Sequence, residues 1–226
     1  MLRLFLDMAH FSHHSEENYL KTLFKLETNT SIKVNNIALS KALELNPATV
    51  LEMVRKLAGR KLLEVQKDKS IQLTDKGRKI ALLTVRRHRL WEVFLVEKLN
   101  YKWNEVHDLA EQLEHIESKD LSDRLEYFLN NPSFDPHGDP IPDKKGKIRN
   151  TNSIQLASGT IGQSYTVFNL ADTSDSFLEY LGKLGIKPGT KIKMKEKQDY
   201  DHSCIVEVNK SSIHLSEKAA INIMVH

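Results

Sequence analysis

Leu63-Glu64-Val65-Gln66-Lys67-Asp68-Lys69-Ser70-Ile71-Gln72-Leu73-Thr74-Asp75-Lys76-Gly77 reads as two short alternating strands around a polar turn, closed by the start of another helix. Just upstream, Asn46 is a good helix N-cap and Pro47 suits the first helical position. Val50, Val54 and Leu57 then continue one apolar stripe, so a helix is expected over 47–61. Before it, Val34, Ala38, Leu39 and Ala42 place a second, shorter helix over 34–43. Two short helices across a tight turn, the second of them basic, followed by a hairpin, form the winged helix-turn-helix pattern. The bland reading is a small helical domain with no nucleic-acid role. Cations on both the reader helix and the wing tip weigh against it.

Working outward, Ser15 with Asn18 offers a helix start, and Tyr19, Leu20, Leu23, Phe24 and Leu26 recur at helical spacing through Glu27. A polar break, Asn29-Thr30-Ser31, follows. Beyond the wing a long helix is expected over 74–99, another over 104–113, and a third from 118–123 to 130. The Pro- and Gly-bearing stretch 131–143 reads as extended, and 144–152 as a polar linker. From 154 onward the pattern becomes short strands with Gly turns, at 153–156, 164–169, 191–196, 203–208, 211–215 and 220–225. One helix, 174–184, interrupts them. The expected fold class is therefore mainly α with a winged helix-turn-helix, a second helical domain, which the resemblance given below implies is a dimerisation domain, and a C-terminal small all-β SH3-like barrel. The expected domains are 1–75, 76–143, a linker at 144–153, and 154–226.

The 226 residues, 40% of them hydrophobic, suffice for real cores. A single cysteine, Cys204, excludes an internal disulfide framework and a Cys-rich zinc finger, and fits a reducing compartment. The segment MLRLFLDMAHF lacks a basic region followed by a long apolar core, so no export signal is read. No apolar run reaches the roughly eighteen residues of a membrane span. A cytoplasmic location without membrane contact is expected. The net charge of +3 hides an asymmetry: residues 55–89 hold twelve Lys/Arg against Glu64, Asp68 and Asp75, whereas 103–127 hold eight acidic residues against Lys119 and Arg124. A polyanion-binding face beside a cation-binding element is one reading; two solvated helix faces is the other.

On the helix after the wing, His88 and Glu92 stand at i and i+4. On the next, His107, Glu111, Glu114 and His115 fall at i, i+4, i+7 and i+8, again one face. One such His is more often a satisfied His than a ligand; the joint spacing reverses those odds. Imidazole with carboxylate and no thiolate suits Mn2+, Fe2+, Co2+ or Zn2+.

The chain resembles the diphtheria-toxin-repressor family of metal-dependent repressors over about 15–225. The resemblance is carried by Glu17-Asn18-Tyr19-Leu20, Pro47-Ala48-Thr49-Val50 and Leu73-Thr74-Asp75-Lys76-Gly77. More specific still are Arg87-His88-Arg89-Leu90-Trp91-Glu92, Val106-His107-Asp108 through Glu114-His115, and Pro136-His137-Gly138-Asp139-Pro140-Ile141-Pro142. It implies a regulatory site from Glu111, Glu114 and His115, and a neighbouring ancillary site from His88, Glu92 and His107. The family's first-helix ligand position falls on Asn18, where the iron branch tends to carry Met and the manganese branch Asp. The amide oxygen of Asn18, or Glu17 in its place, is the expected donor. The manganese branch's second first-helix carboxylate falls on Lys21, which leaves a mononuclear or differently bridged site open. Glu111 stands where the iron branch often has Cys, and an oxygen donor there leans toward Mn2+. The C-terminal domain resembles the family's SH3-like (FeoA-like) domain, with Asp172 and Asp175 nearest its ligand-donating positions. Two exposed loop aspartates is the alternative for that pair.

The implied function is a metal-activated DNA-binding repressor of metal homeostasis, manganese-responsive first and iron-responsive second, with Co2+ or Zn2+ able to substitute. Its partners are double-stranded operator DNA and a second copy in a homodimer, with Leu95, Leu99, Leu125, Phe128 and Leu129 as interface or, alternatively, core residues. Asn46, Ala48, Thr49 and Glu52 are expected near base edges, and Arg55, Lys56, Arg60, Lys67 and Lys69 near phosphates. A di-metal carboxylate enzyme on a helical scaffold would use similar ligand spacing, but it explains neither the helix-turn-helix nor the wing. A metal-independent winged-helix regulator whose acidic face binds a protein is the third reading.

Overall fold

The Asn46 side chain accepts a hydrogen bond from the Ala48 N–H at 2.8 Å, and Pro47 opens α3 (Pro47–Gly59), as expected. The same device starts α2 (Asn36–Leu43), where Asn35 accepts from the Ala38 N–H at 2.9 Å. That helix stops where Glu44 turns left-handed. The computed structural model describes residues 2–29, 33–116, 118, 120–149 and 152–226, without the side chains of 2–13 and 29. Thr30 and Ser31 of the polar break, Glu117 and Lys119 of the acidic stretch, and Asn150 and Thr151 of the expected linker lie outside them.

The chain divides into two units. The first comprises Met1–His88, Gln112–Asp123 and Pro142–Ile148. In it α1 (Leu2–Asn29) begins upstream of the Ser15 start read from the sequence. β1 (Leu63–Val65) pairs antiparallel with β2 (Ile71–Leu73), matching Leu63 to Leu73 and Val65 to Ile71. The turn between them closes on a left-handed Lys69, with Asp68 Oδ1 accepting from the Ser70 N–H. Leu20, Leu23, Val50, Val54, Leu57, Leu62, Ile71, Ala81 and Val85 form the core. The expected stripes of α1 and α3 thus do face inward. α4 (Asp75–Leu99) passes Leu62 so closely that a Cβ on Gly77 would lie 1.8 Å from the Leu62 carbonyl oxygen. Gly77→Ala is therefore expected to destabilise the fold by about 1–3 kcal/mol through backbone displacement, read as a lower Tm.

The second unit comprises Arg89–Glu111, Arg124–Ile141 and Arg149–His226. α5 (His107–Leu113) ends before Glu114 and His115, which follow in a turn rather than on the helix. α6 (Leu121–Phe128) contributes Leu125 to a small core with Leu90, Val93, Leu129 and Ile141. The strands form one six-stranded antiparallel sheet in the order β3 (Ile154–Gln155), β8 (Ile223–Val225), β4 (Ser164–Leu170), β5 (Lys191–Lys197), β6 (Cys204–Val208), β7 (Ser211–Leu215). α7 (Asp175–Lys183) covers it with Leu178 and Leu181. The expected strand 220–225 is corrected: Ala220 and Ile221 belong to α8 (Glu217–Ile221), capped by Ser216 Oγ accepting from the Ala219 N–H. Alternating apolar residues do not separate so short a helix from a strand. Cys204 is buried in this sheet's core. Among the described residues no helix is long and apolar enough to cross a membrane.

Candidate metal centres and DNA-reading face

In the first unit, one wall of a polar cluster is α1. Its apolar positions Leu20 and Leu23 are driven into the core, and that carries Glu17 and Lys21 inward as well. Glu114 is wholly buried: Lys21 Nζ donates to its Oε1 at 2.6 Å, and His88 Nδ1 lies 2.6 Å from its Oε2. Glu17 receives Arg87 on Oε1 at 2.6 Å and His115 Nδ1 on Oε2 at 2.7 Å. Arg87 also donates to the main-chain carbonyl of Glu114. Burial pushes the Glu17 carboxyl up, but the hydrogen bond from His115 and the charge and hydrogen bond of Arg87 outweigh it and hold the group below its usual value. For Glu114, burial is likewise outweighed by His88 and Lys21.

A proton on His115 Nδ1, spent on Glu17, leaves Nε2 as the lone-pair nitrogen. That atom is buried without a hydrogen-bond partner, 3.5 Å from Glu114 Oε1, and the buried Asn18 Oδ1 is likewise unpartnered. Two orphaned donor atoms and a buried carboxylate suit a divalent cation of the kind that accepts N and O ligands. Glu17 is placed to orient His115, and Asn18 follows it on α1.

In the second unit, Glu92 is buried with Oε1 3.4 Å from His107 Nδ1 and 3.8 Å from His137 Nδ1. Ligand atoms of Glu92, Asp135 and His137 all lie within 4.8 Å of one another. His137 Nε2 donates to the Trp103 carbonyl at 2.9 Å, which directs Nδ1 toward Glu92. Asp135 is pushed up to about 7 by burial and by the charges of Asp139 and Glu92, partly offset by Arg89. His137 is raised to about 9, because Glu92 and Asp135 outweigh the burial that would lower it. Arg89 clamps the extended stretch, 3.3 Å from Asp135 and 2.9 Å from Asp139. Gly138, with φ +88°, lets that stretch run against Phe168: a Cβ there would lie 2.0 Å from its carbonyl oxygen. Glu111 is exposed, 3.9 Å from His107 Nε2. Asp172 accepts from the Ser174 N–H ahead of α7, and Asp175 is exposed in that helix's first turn. Spacing does not group Asp135 and His137 with Glu92, because they lie in a loop far along the chain from it. Their only signal was the Asp-Pro-His-Gly-Asp-Pro run itself.

On α3 the outward residues are Ala48, Thr49, Glu52, Arg55 and Lys56, opposite buried Val50, Val54 and Leu57. Asn46 is exposed, but its side-chain oxygen is spent on the cap. Lys67 and Lys69 are exposed on the wing turn. Lys56 Nζ lies 3.1 Å from Glu16 Oε1, and Arg60 pairs with Glu16 Oε2, so α1 holds two of the reader's cations.

Residues 12–71 match the family described as the iron dependent repressor, N-terminal DNA binding domain, residues 74–143 its metal binding and dimerisation domain, and residues 154–226 the FeoA domain. The iron-dependent repressor IdeR of Mycobacterium tuberculosis is 37% identical over 126 residues, 56% of this chain and 54% of that protein, so the match spans about half that relative's length. A solved manganese-dependent transcriptional repressor in complex with manganese is 34% identical, covering 93% of this chain and 98% of that one, with a TM-score of 0.86. ScaR with bound Zn2+ is 33% identical over 93% of this chain and 98% of that one, with a TM-score of 0.78. The chain therefore belongs to the diphtheria-toxin-repressor family of metal-dependent transcriptional repressors.

Proposed function

We propose that this protein is a cytoplasmic, homodimeric repressor that binds operator DNA when a divalent metal ties α1 to the 114–115 turn. The observation that carries this is on α1 itself. Glu16 holds Lys56 and Arg60 of the reader, while Glu17 and Lys21, within the next five residues, pair with His115 and Glu114, and Asn18 between them keeps a buried oxygen unpartnered. Any shift of α1 is thereby felt at both places. The metal supplies a divalent charge that the buried donors favour in one α1 position. His115 Nε2, Asn18 Oδ1 and Glu114 would hold it, Glu17 fixes the His115 tautomer, and His88 braces the other Glu114 oxygen. If the DNA-competent position of α1 is the one that binds metal better, the coupling falls in the usual range of about 1–3 kcal/mol.

Glu92, Asp135, His137 and His107 form the second centre, with Glu111 beside His107 and Asp172 and Asp175 as further oxygen donors of the same domain. His137→Ala is expected to lower the stoichiometry of tightly bound Mn2+ from two per chain to one, measured by equilibrium dialysis with metal analysis. Unchanged stoichiometry would remove the second centre. The proposed domain layout is 1–75, 76–143 and 154–226 with a linker at 144–153, and the matched segments 12–71, 74–143 and 154–226 support it. Exposed Leu99, Tyr127 and Phe128 supply the dimer face, whereas Leu95, Leu125 and Leu129 are buried within one chain.

Mn2+ is the proposed activator and Fe2+ the alternative. The donors are oxygen and imidazole nitrogen, and the one cysteine is buried in the C-terminal sheet. The enzyme reading falls away with the family assignment. The test is fluorescence anisotropy on a duplex selected from a random library in the presence of Mn2+, then titrated anaerobically with Mn2+, Fe2+, Co2+ and Zn2+ and with chelator. Equal affinity with metal and with chelator would overturn the reading. A larger response to Fe2+ than to Mn2+ would change only the metal.

A further inference from the structure

We propose that the Lys21 ammonium is a built-in competitor of the metal, holding the Glu114 oxygen that a divalent cation needs and so setting the metal concentration at which the site fills. This rests on the reading of Glu114 as a metal ligand. Three observations carry it. First, Lys21 Nζ and His115 Nε2 converge on one atom, Glu114 Oε1, at 2.6 and 3.5 Å. The lone-pair nitrogen available to a metal therefore faces the oxygen already taken by a fixed positive charge. Second, among the described residues the carboxylates of Glu17 and Glu114 each already pair with a permanent positive charge, Arg87 and Lys21. Third, Lys21 is only 3% exposed, and its neighbour Leu20 is packed in the core, so the ammonium has no easy path to water. A lysine on the surface could swing aside; this one must stay near its oxygen or be expelled with the helix that bears it.

The consequence is a threshold. A divalent cation entering next to a retained ammonium meets unscreened like charge, because both are buried. Its apparent affinity is lowered relative to the same donor set without the lysine, and the site stays empty at metal levels that an all-carboxylate set would already capture. Because Lys21 lies on α1, loosening it from Glu114 is felt on the same helix that holds the reader's cations through Glu16.

The test uses the full-length protein and Mn2+ alone, with free Mn2+ followed by electron paramagnetic resonance. Lys21→Met and Lys21→Gln are expected to bind Mn2+ at this site at least about tenfold more tightly than wild type, a modest demand for removing one buried charge. Lys21→Gln keeps a donor to Oε1 without the charge, so it separates electrostatic competition from hydrogen bonding, and it decides the matter if Lys21→Met does not fold. Lys21→Arg should retain the wild-type affinity. Glutamine-variant affinity equal to or weaker than wild type would overturn the proposal. Glu114→Gln measured alongside keeps the two readings apart: if it leaves Mn2+ affinity unchanged, Glu114 is no ligand and the functional reading fails, whereas if it weakens binding while Lys21→Gln does not tighten it, only the competition fails.

Discussion

Glu114→Gln is expected to erase the metal response: DNA affinity with Mn2+ should fall to the value measured with chelator, a loss of roughly 5–150-fold. In the first unit the Glu114 side chain joins α1, α4 and the turn that follows α5. Its two oxygens receive Lys21 of α1 and His88 of α4, and its neighbour His115 donates to Glu17. Neutralising it removes the charge that a metal would share with His115. The same change has a cost in stability that the metal does not explain. Lys21 is buried at 3% exposure, and taking away its partner leaves an uncompensated charge, worth about 3–5 kcal/mol for Glu114→Ala and less for the isosteric Gln. Denaturant unfolding of the metal-free protein reads that directly. The double variant Lys21→Met, Glu114→Gln removes both charges and should recover most of the loss, so the two single effects will not add. A metal response that survives Glu114→Gln would exclude this cluster as the switch.

The second large effect belongs to the reader. Thr49→Ala with Lys56→Ala is expected to weaken DNA binding by roughly 10–100-fold at moderate salt, and to reduce the slope of log affinity against log salt by about one. Thr49 sits on the exposed face near the N-terminus of α3, where a recognition helix meets base edges, whereas Lys56 lies toward its C-terminal end, where a phosphate is the natural partner. Glu16→Gln gives the opposite sign: with the carboxylate gone, Lys56 and Arg60 are released to phosphates, and the salt slope should steepen. If the double variant keeps both affinity and slope, α3 is not the reading helix.

Much of this was legible in the chain because it is local. The Asn46 cap and Pro47 start of α3, the Val50, Val54 and Leu57 stripe, and the paired strands around Lys67 to Ser70 all depend on neighbours a few residues away. His88 and Glu92 could be placed on one helix by counting. Counting failed where a helix stopped: Glu114 and His115 fit a continuous stripe with His107, yet α5 ends at Leu113 and they occupy a turn. It failed again at Ala220 and Ile221, where Ser216 caps a short helix that alternation made look like a strand.

A winged helix-turn-helix, a His- and Glu-bearing helical segment and a small β domain are already written in the chain, since propensity, caps and hydrophobic period act through adjacent residues. Which charged groups meet depends on long-range packing. Lys21 and Glu114 are 93 positions apart, and Glu17 and His115 are 98 apart. No period links such pairs. They meet because the apolar faces beside them are buried, and burial makes a paired charge far cheaper than a lone one. Lys21 reads in the chain as a residue unable to bind a metal; inside the fold it is the cation already in place.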